Sequence, residues 1–160
     1  MSTPIKLKIK DNSELRDKIC SLYAMTDQIS LAKWALSIAK RILCVSGIDY
    51  KNVDSLAEGF KVNELWQKGK AKIHDVRKAG FKIHKFARVC DSEIKKSAFR
   101  TAGQAVASGH MKEHAIIASD YAVKTIGLIT KNDILSITEE RKWQFNKLNK
   151  LKDKTSGREL

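Results

Sequence analysis

The residues best suited to chemistry lie in one short run, Gly-His-Met-Lys-Glu-His at 109–114. Read as H-x-x-E-H, the run matches a metallopeptidase pattern in which two histidines bind zinc and a glutamate activates water. Histidines four apart share a helix face, so His110 and His114 could hold one ion if a helix begins by residue 110. Catalytic zinc usually takes three protein ligands. No third stands at a diagnostic spacing, and His84, Cys90, Asp120, Glu139 and Glu140 qualify only by residue type. The favoured reading is therefore a pair of histidines with satisfied nitrogens that opens a helix and faces inward. It invokes no metal, no cofactor and no catalysis. Their partners are expected among carbonyls, Tyr121 or a carboxylate, because Arg100 has no acceptor atom.

A second grouping needs no metal. His74, Arg77, Phe81, His84 and Arg88 recur at steps of three and four, beside the apolar seam Ile73, Val76, Gly80, Ile83, Ala87 and Cys90. Guanidiniums, imidazoles and a ring on one line suit an anion or a carboxylate. The plainer alternative is a helix boundary, with arginine stems covering apolar surface and their heads in water. Arg100, with Lys96 a turn earlier, extends the basic surface if the following helix folds back alongside. No glycine-rich phosphate loop or Gly-x-Ser-x-Gly elbow occurs, and no spacing supports a Ser-His-Asp or Cys-His set.

Composition limits what these groups can serve. The chain has 160 residues, 42% of them hydrophobic and 31% charged, enough for one domain with a real core. Lysine and arginine number 31 against 18 acids, a net charge of +13. Residues 61–100 alone hold 12 bases and 4 acids, a net +8. Such a field draws acidic partners, nucleic acid and acidic proteins alike. No apolar stretch is long enough for an export signal or a membrane span. Cys20, Cys44 and Cys90 form no CxxC pair and read as reduced thiols, which with the rest points to a cytoplasmic protein without a membrane role.

The elements that must position these residues are helical. Ile5, Leu7 and Ile9 alternate with lysines, so residues 1–10 read as a short extended basic arm, or a short strand, able to pair with another chain's arm in a homo-oligomer. Caps at Asn12 or Ser13, Asp27 or Ser30, Asp91 or Ser92, and Asn132 or Asp133 open helices. Gly47 and Gly69 read as stops, Gly59 as an interruption, and Gly109 as the break before a helix from Met111 to about Ile129. The expectation is an all-α single domain, a bundle of six or seven antiparallel helices over residues 11–151, with 152–160 a frayed polar tail.

Several stretches carry a resemblance: LAKWALSIAKRIL (31–43), VRKAGFKIHKFAR (76–88), AFRTAGQAVASGHMKEHAIIASDYAVKTI (98–126) and EERKWQFNKL (139–148). They resemble immunity proteins of bacterial polymorphic-toxin systems, most specifically through R-x-A-G-x-A-x-A-x-x-H-x-x-x-H-A from Arg100 to Ala115. The resemblance implies a small all-helical protein without cofactors that protects a cell by binding a cognate toxin. It also implies that His110 and His114 matter for folding or binding without a required glutamate, and that Arg77, His84 and Arg88 fall on recurrent positions. The basic charge makes an acidic toxin the fitting target. The alternatives are a basic nucleic-acid-binding protein and, further off, a zinc hydrolase.

Overall fold

A computed structural model describes the backbone of residues 3–158 and the side chains through residue 153. Among the described residues there are seven α-helices, one 3-10 turn and no strand. In order these are α1 (Ser13–Ala24), α2 (Gln28–Val45), the 3-10 turn (Tyr50–Asn52), α3 (Asp54–Gln67), α4 (Ile73–Val89), α5 (Glu93–Ala107), α6 (Glu113–Thr130) and α7 (Ile134–Arg158). Four starts are fixed locally by side-chain caps. Asn12 accepts from the Leu15 amide at 3.1 Å, Asp27 from Ser30 at 2.9 Å, Ser92 from Lys95 at 3.3 Å and Asp133 from Ser136 at 3.1 Å. Each such cap contributes about 1 kcal/mol.

Helix α2 is the centre of the bundle. Leu31, Trp34, Ala35, Ile38 and Ile42 are fully buried, so its apolar stripe is wide enough to pack on α5, α6 and α7 at once. Helices α3, α4, α5 and α6 follow as a chain of packed neighbours, and α7 closes the bundle against α1, α2 and α6. The Trp34 indole N–H is satisfied by the Gln144 carbonyl at 2.9 Å, which pins α7 to the core.

One glycine differs from its sequence reading. Gly59 does not interrupt α3, which runs through it unbroken. A Cβ there would lie 2.8 Å from Ile83 Cδ1 and 3.2 Å from Val106 Cγ2, so the residue exists to let α4 and α5 approach. Gly109 lies in the break between α5 and α6, as its sequence reading has it, and also supplies space, because a Cβ would meet Val76 at 2.9 Å and Trp66 at 3.2 Å. Gly47 and Gly69 do sit in the left-handed region, at φ +77° and +73°, as stops require.

The arm is not a strand. Residues 3–12 form neither helix nor strand and bend at Leu7, and both of their ends are held by buried arginines. Arg16 donates to the Thr3 carbonyl, and Arg141 makes two bonds to the Asp11 carboxylate, at 2.8 and 2.7 Å. At the other end of the chain, α7 continues helical to Arg158, through residues read from sequence as a frayed tail.

Arg141 is fully buried, and each of its five N–H donors has an acceptor: Asp11 twice, Asp120, Ser119 and Gln144. Asp120 also takes two bonds from Arg16, both at 2.9 Å. Nearby, Arg41 pairs with the buried Glu140, which also accepts from Gln144 at 2.9 Å. Burial pushes the Glu140 carboxyl up, while Arg41, Gln144 and Arg141 favour its charged form. This network joins the arm, α1, α2, α6 and α7, so the fold is closed by polar groups as well as by packing.

Candidate functional site

The site begins with two glycines. On α4 the seam residues Val76, Gly80, Ile83 and Ala87 are buried. A Cβ on Gly80 would lie 3.3 Å from the Gly103 carbonyl oxygen, so α4 and α5 cross closely at this pair. One turn along α4, the His84 imidazole lies over Gly103, where a Cβ would stand 2.7 Å from both Cε1 and Nε2. Gly103 is therefore the space the ring occupies. Arg100, one turn earlier on α5, donates from Nη1 to His84 Nδ1 at 2.9 Å.

That bond fixes the chemistry of the ring. A guanidinium has donors only, so Nδ1 accepts and the proton of neutral His84 resides on Nε2. Burial, followed by the charges of Arg100, His114 and Arg88, lowers the His84 pKa to about 4. His114 sits across from it on α6 with Nδ1 2.7 Å from Gln104 Oε1. An amide oxygen can only accept, so His114 Nδ1 donates. Burial and His110 depress the pKa of His114 as well.

The histidine pair has a different geometry from the sequence reading. Helix α6 starts at Glu113, so His110 lies in the preceding turn and only His114 is helical. Residues 108–111 are still closing α5, with the His110 and Met111 amides bonded to the Ala107 carbonyl at 2.8 and 3.2 Å. Met111 is exposed instead of opening the inward stripe. Both histidines are half-buried, with rings stacked at 6.0 Å, and His114 takes Gln104 as partner instead of Tyr121 or a carboxylate. Glu113 forms a loose pair with Lys6 at 3.8 Å. Among the described residues no three His, Cys, Asp or Glu side chains gather so that they could hold a metal ion.

Arg77 and Arg88 are exposed on α4, on the same stripe as His84. Arg77 lies over the Phe81 ring at 5.3 Å, and Phe86 stacks on Phe99 at 5.8 Å. The helix also exposes Ile73, Phe81, Phe86 and Val89, so apolar and cationic groups share its outer surface. Among the described residues the arginines divide cleanly. Arg16, Arg41 and Arg141 each pair with a carboxylate, whereas Arg77, Arg88 and Arg100 pair with none.

The structure thus brings His84, Arg88, Arg100 and His114 into one electrostatic neighbourhood, with His110 beside His114 and Arg77 further along the stripe. Sequence reasoning missed Gly103 and Gln104 as the support of the two imidazoles. Their spacing was a usable signal, since Arg100, Gly103 and Gln104 fall on one helix face. It also missed the buried network. There the signal was Asp120, a carboxylate in the apolar run of α6, since a buried acid requires a cation.

An all-helical bundle bearing a histidine–arginine couple on a basic, aromatic face is the class of protein that fold and site define. The chain belongs to the Imm-5-like putative immunity protein family, whose pattern matches residues 21–151. That span holds every candidate site residue and leaves the arm outside. Neither a curated protein nor a solved structure matches the chain. Among the described residues no helix is long and apolar enough to cross a membrane.

Proposed function

We propose that this protein neutralises a cognate toxin by binding it in the cytoplasm, without catalysis, through α4 and the adjoining Arg100 and His114. The observation that carries the reading is the division of the arginines: among the described residues, those that hold the fold together have carboxylate partners, and those on this face have none. A guanidinium cluster without counter-ions suits an acidic surface. Family membership supplies the kind of partner, a toxin. A protein fits better than nucleic acid because Ile73, Phe81, Phe86 and Val89 expose apolar surface on the same helix, as aromatic and arginine anchors do in protein interfaces.

The test is protection. Cells carrying an inducible toxin encoded beside this gene should grow when the protein is co-expressed and the two should co-purify. They should die when Arg77, Arg88 and Arg100 are all glutamine in an otherwise folded protein. Growth that is independent of those residues, or tight salt-sensitive binding to nucleic acid with no toxin bound, would count against the reading.

A further inference from the structure

We infer that His84 and Arg100 form a seat for one carboxylate side chain of an acidic partner protein, a seat that names the chemistry of the toxin-binding face proposed above. Arg100 spends a single donor on His84 and makes no other hydrogen bond among the described residues. Its guanidinium is nevertheless oriented, because that one bond anchors it to a ring seated on Gly103. An oriented guanidinium with free N–H groups is the natural partner of a planar two-oxygen anion.

The surroundings point the same way. The charged or titratable groups acting on His84 are Arg88 from its own helix, Arg100 from α5 and His114 from α6, and no carboxylate is among them. Gathering like charges around a half-buried imidazole is unfavourable in the free protein, and an incoming carboxylate relieves it. The Nε2–H of His84 has no protein acceptor among the described residues, so a further donor is available beside the guanidinium. Docked, the carboxylate would accept from the Nε2–H of the neutral ring, while Nδ1 keeps its bond to Arg100. The exposed Phe81 ring, one turn before His84 on the same face, selects a protein carboxylate over a bare phosphate.

The probe is a short synthetic peptide of glutamate and leucine, its glutamine counterpart, inorganic phosphate, and a single-stranded oligonucleotide of equal charge. Each is titrated into the full-length protein while the imidazole and guanidinium signals are followed by NMR. The glutamate peptide should shift the His84 and Arg100 signals saturably, with the His84 ring staying neutral. Affinity should fall by about tenfold or more in Arg100→Gln, the loss of one charged bidentate contact. It should change little in a Lys8→Gln/Lys10→Gln control that removes more charge from the arm. Arg88→Gln, which leaves the His84 bond untouched, should weaken binding by a smaller factor and guards against misfolding of the first variant. Equal shifts from the glutamine peptide, a preference for phosphate or the oligonucleotide, equal losses in the lysine control, or no shift at all would each overturn the seat. Peptide shifts without protection from the toxin would uphold the seat while sinking the toxin reading. Protection that survives Arg100→Gln, with the shifts absent, would do the reverse.

Discussion

Replacing Asp120 by asparagine changes almost no volume and removes one buried charge. In the native protein Asp120 Oδ1 accepts from Arg16 Nε at 2.9 Å and Arg141 Nη2 at 2.8 Å, and Oδ2 accepts from Arg16 Nη2 at 2.9 Å. An asparagine can keep its oxygen at one position only, so its amide group must face an arginine donor at the other. Arg141 would retain Asp11, but Arg16 would lose its only carboxylate among the described residues while remaining 4% exposed. Stranding a buried cation costs about 3–5 kcal/mol. The lost charged hydrogen bond, about 1.5–3 kcal/mol taken alone, is part of that figure. At roughly 2–4 °C per kcal/mol for a domain of this size, Tm should fall by about 6–20 °C. Urea denaturation and thermal circular dichroism at neutral pH read both quantities. Adding Arg16→Met should recover part of the loss, because it removes the stranded charge. A loss below about 1 kcal/mol, or no recovery in the double variant, would refute the claim that this network closes the fold.

Gly103→Ala should lower stability by about 1–2 kcal/mol net, since a Cβ 2.7 Å from the His84 ring overpacks the crossing while helix propensity returns up to about 1 kcal/mol. NMR titration of the same variant should show the His84 midpoint rising as the ring leaves its place. In the native protein that midpoint should lie near 4, below the ordinary 6.5. Between those values the unfolded chain binds a proton that the folded one does not, so stability should rise with pH across that window and then level. A His84→Gln protein should show a flatter profile in denaturation experiments run from acid to neutral pH. Glu113→Gln should change stability by no more than about 0.5 kcal/mol by urea titration, because its pair with Lys6 is solvent-exposed.

The parts of the fold legible in the sequence are those that local chemistry decides. Asn12, Asp27, Ser92 and Asp133 cap their helices with their own side chains, and the stripe on α4 follows from its spacing alone. What was not legible depends on neighbours far along the chain. Gly59 resembles a break until Ile83 and Val106 are set against it. The alternation of Ile5, Leu7 and Ile9 suggests a strand, yet no partner strand occurs among the described residues and Arg16 and Arg141 hold the segment instead. The histidine run was misplaced by a few residues because the chain spends 108–111 finishing α5. Arg77, His84, Arg88 and Arg100 could be named as a basic group from spacing. That Arg100 would lock the tautomer of His84, or that among the described residues these arginines would lack the carboxylates given to the others, required the folded geometry.

Titration calorimetry with the cognate toxin proposed above tests the central claim most directly. It compares the native protein, the Arg77→Gln/Arg88→Gln/Arg100→Gln variant, and a Lys8→Gln/Lys10→Gln/Lys124→Gln variant of equal charge. If the arginines on this face are kept free for the toxin, the first variant should lose about 100-fold or more in affinity, and the second less than about tenfold. Equal losses in the two would mean that only net charge matters, and an unchanged affinity in the arginine variant would mean that the toxin binds elsewhere.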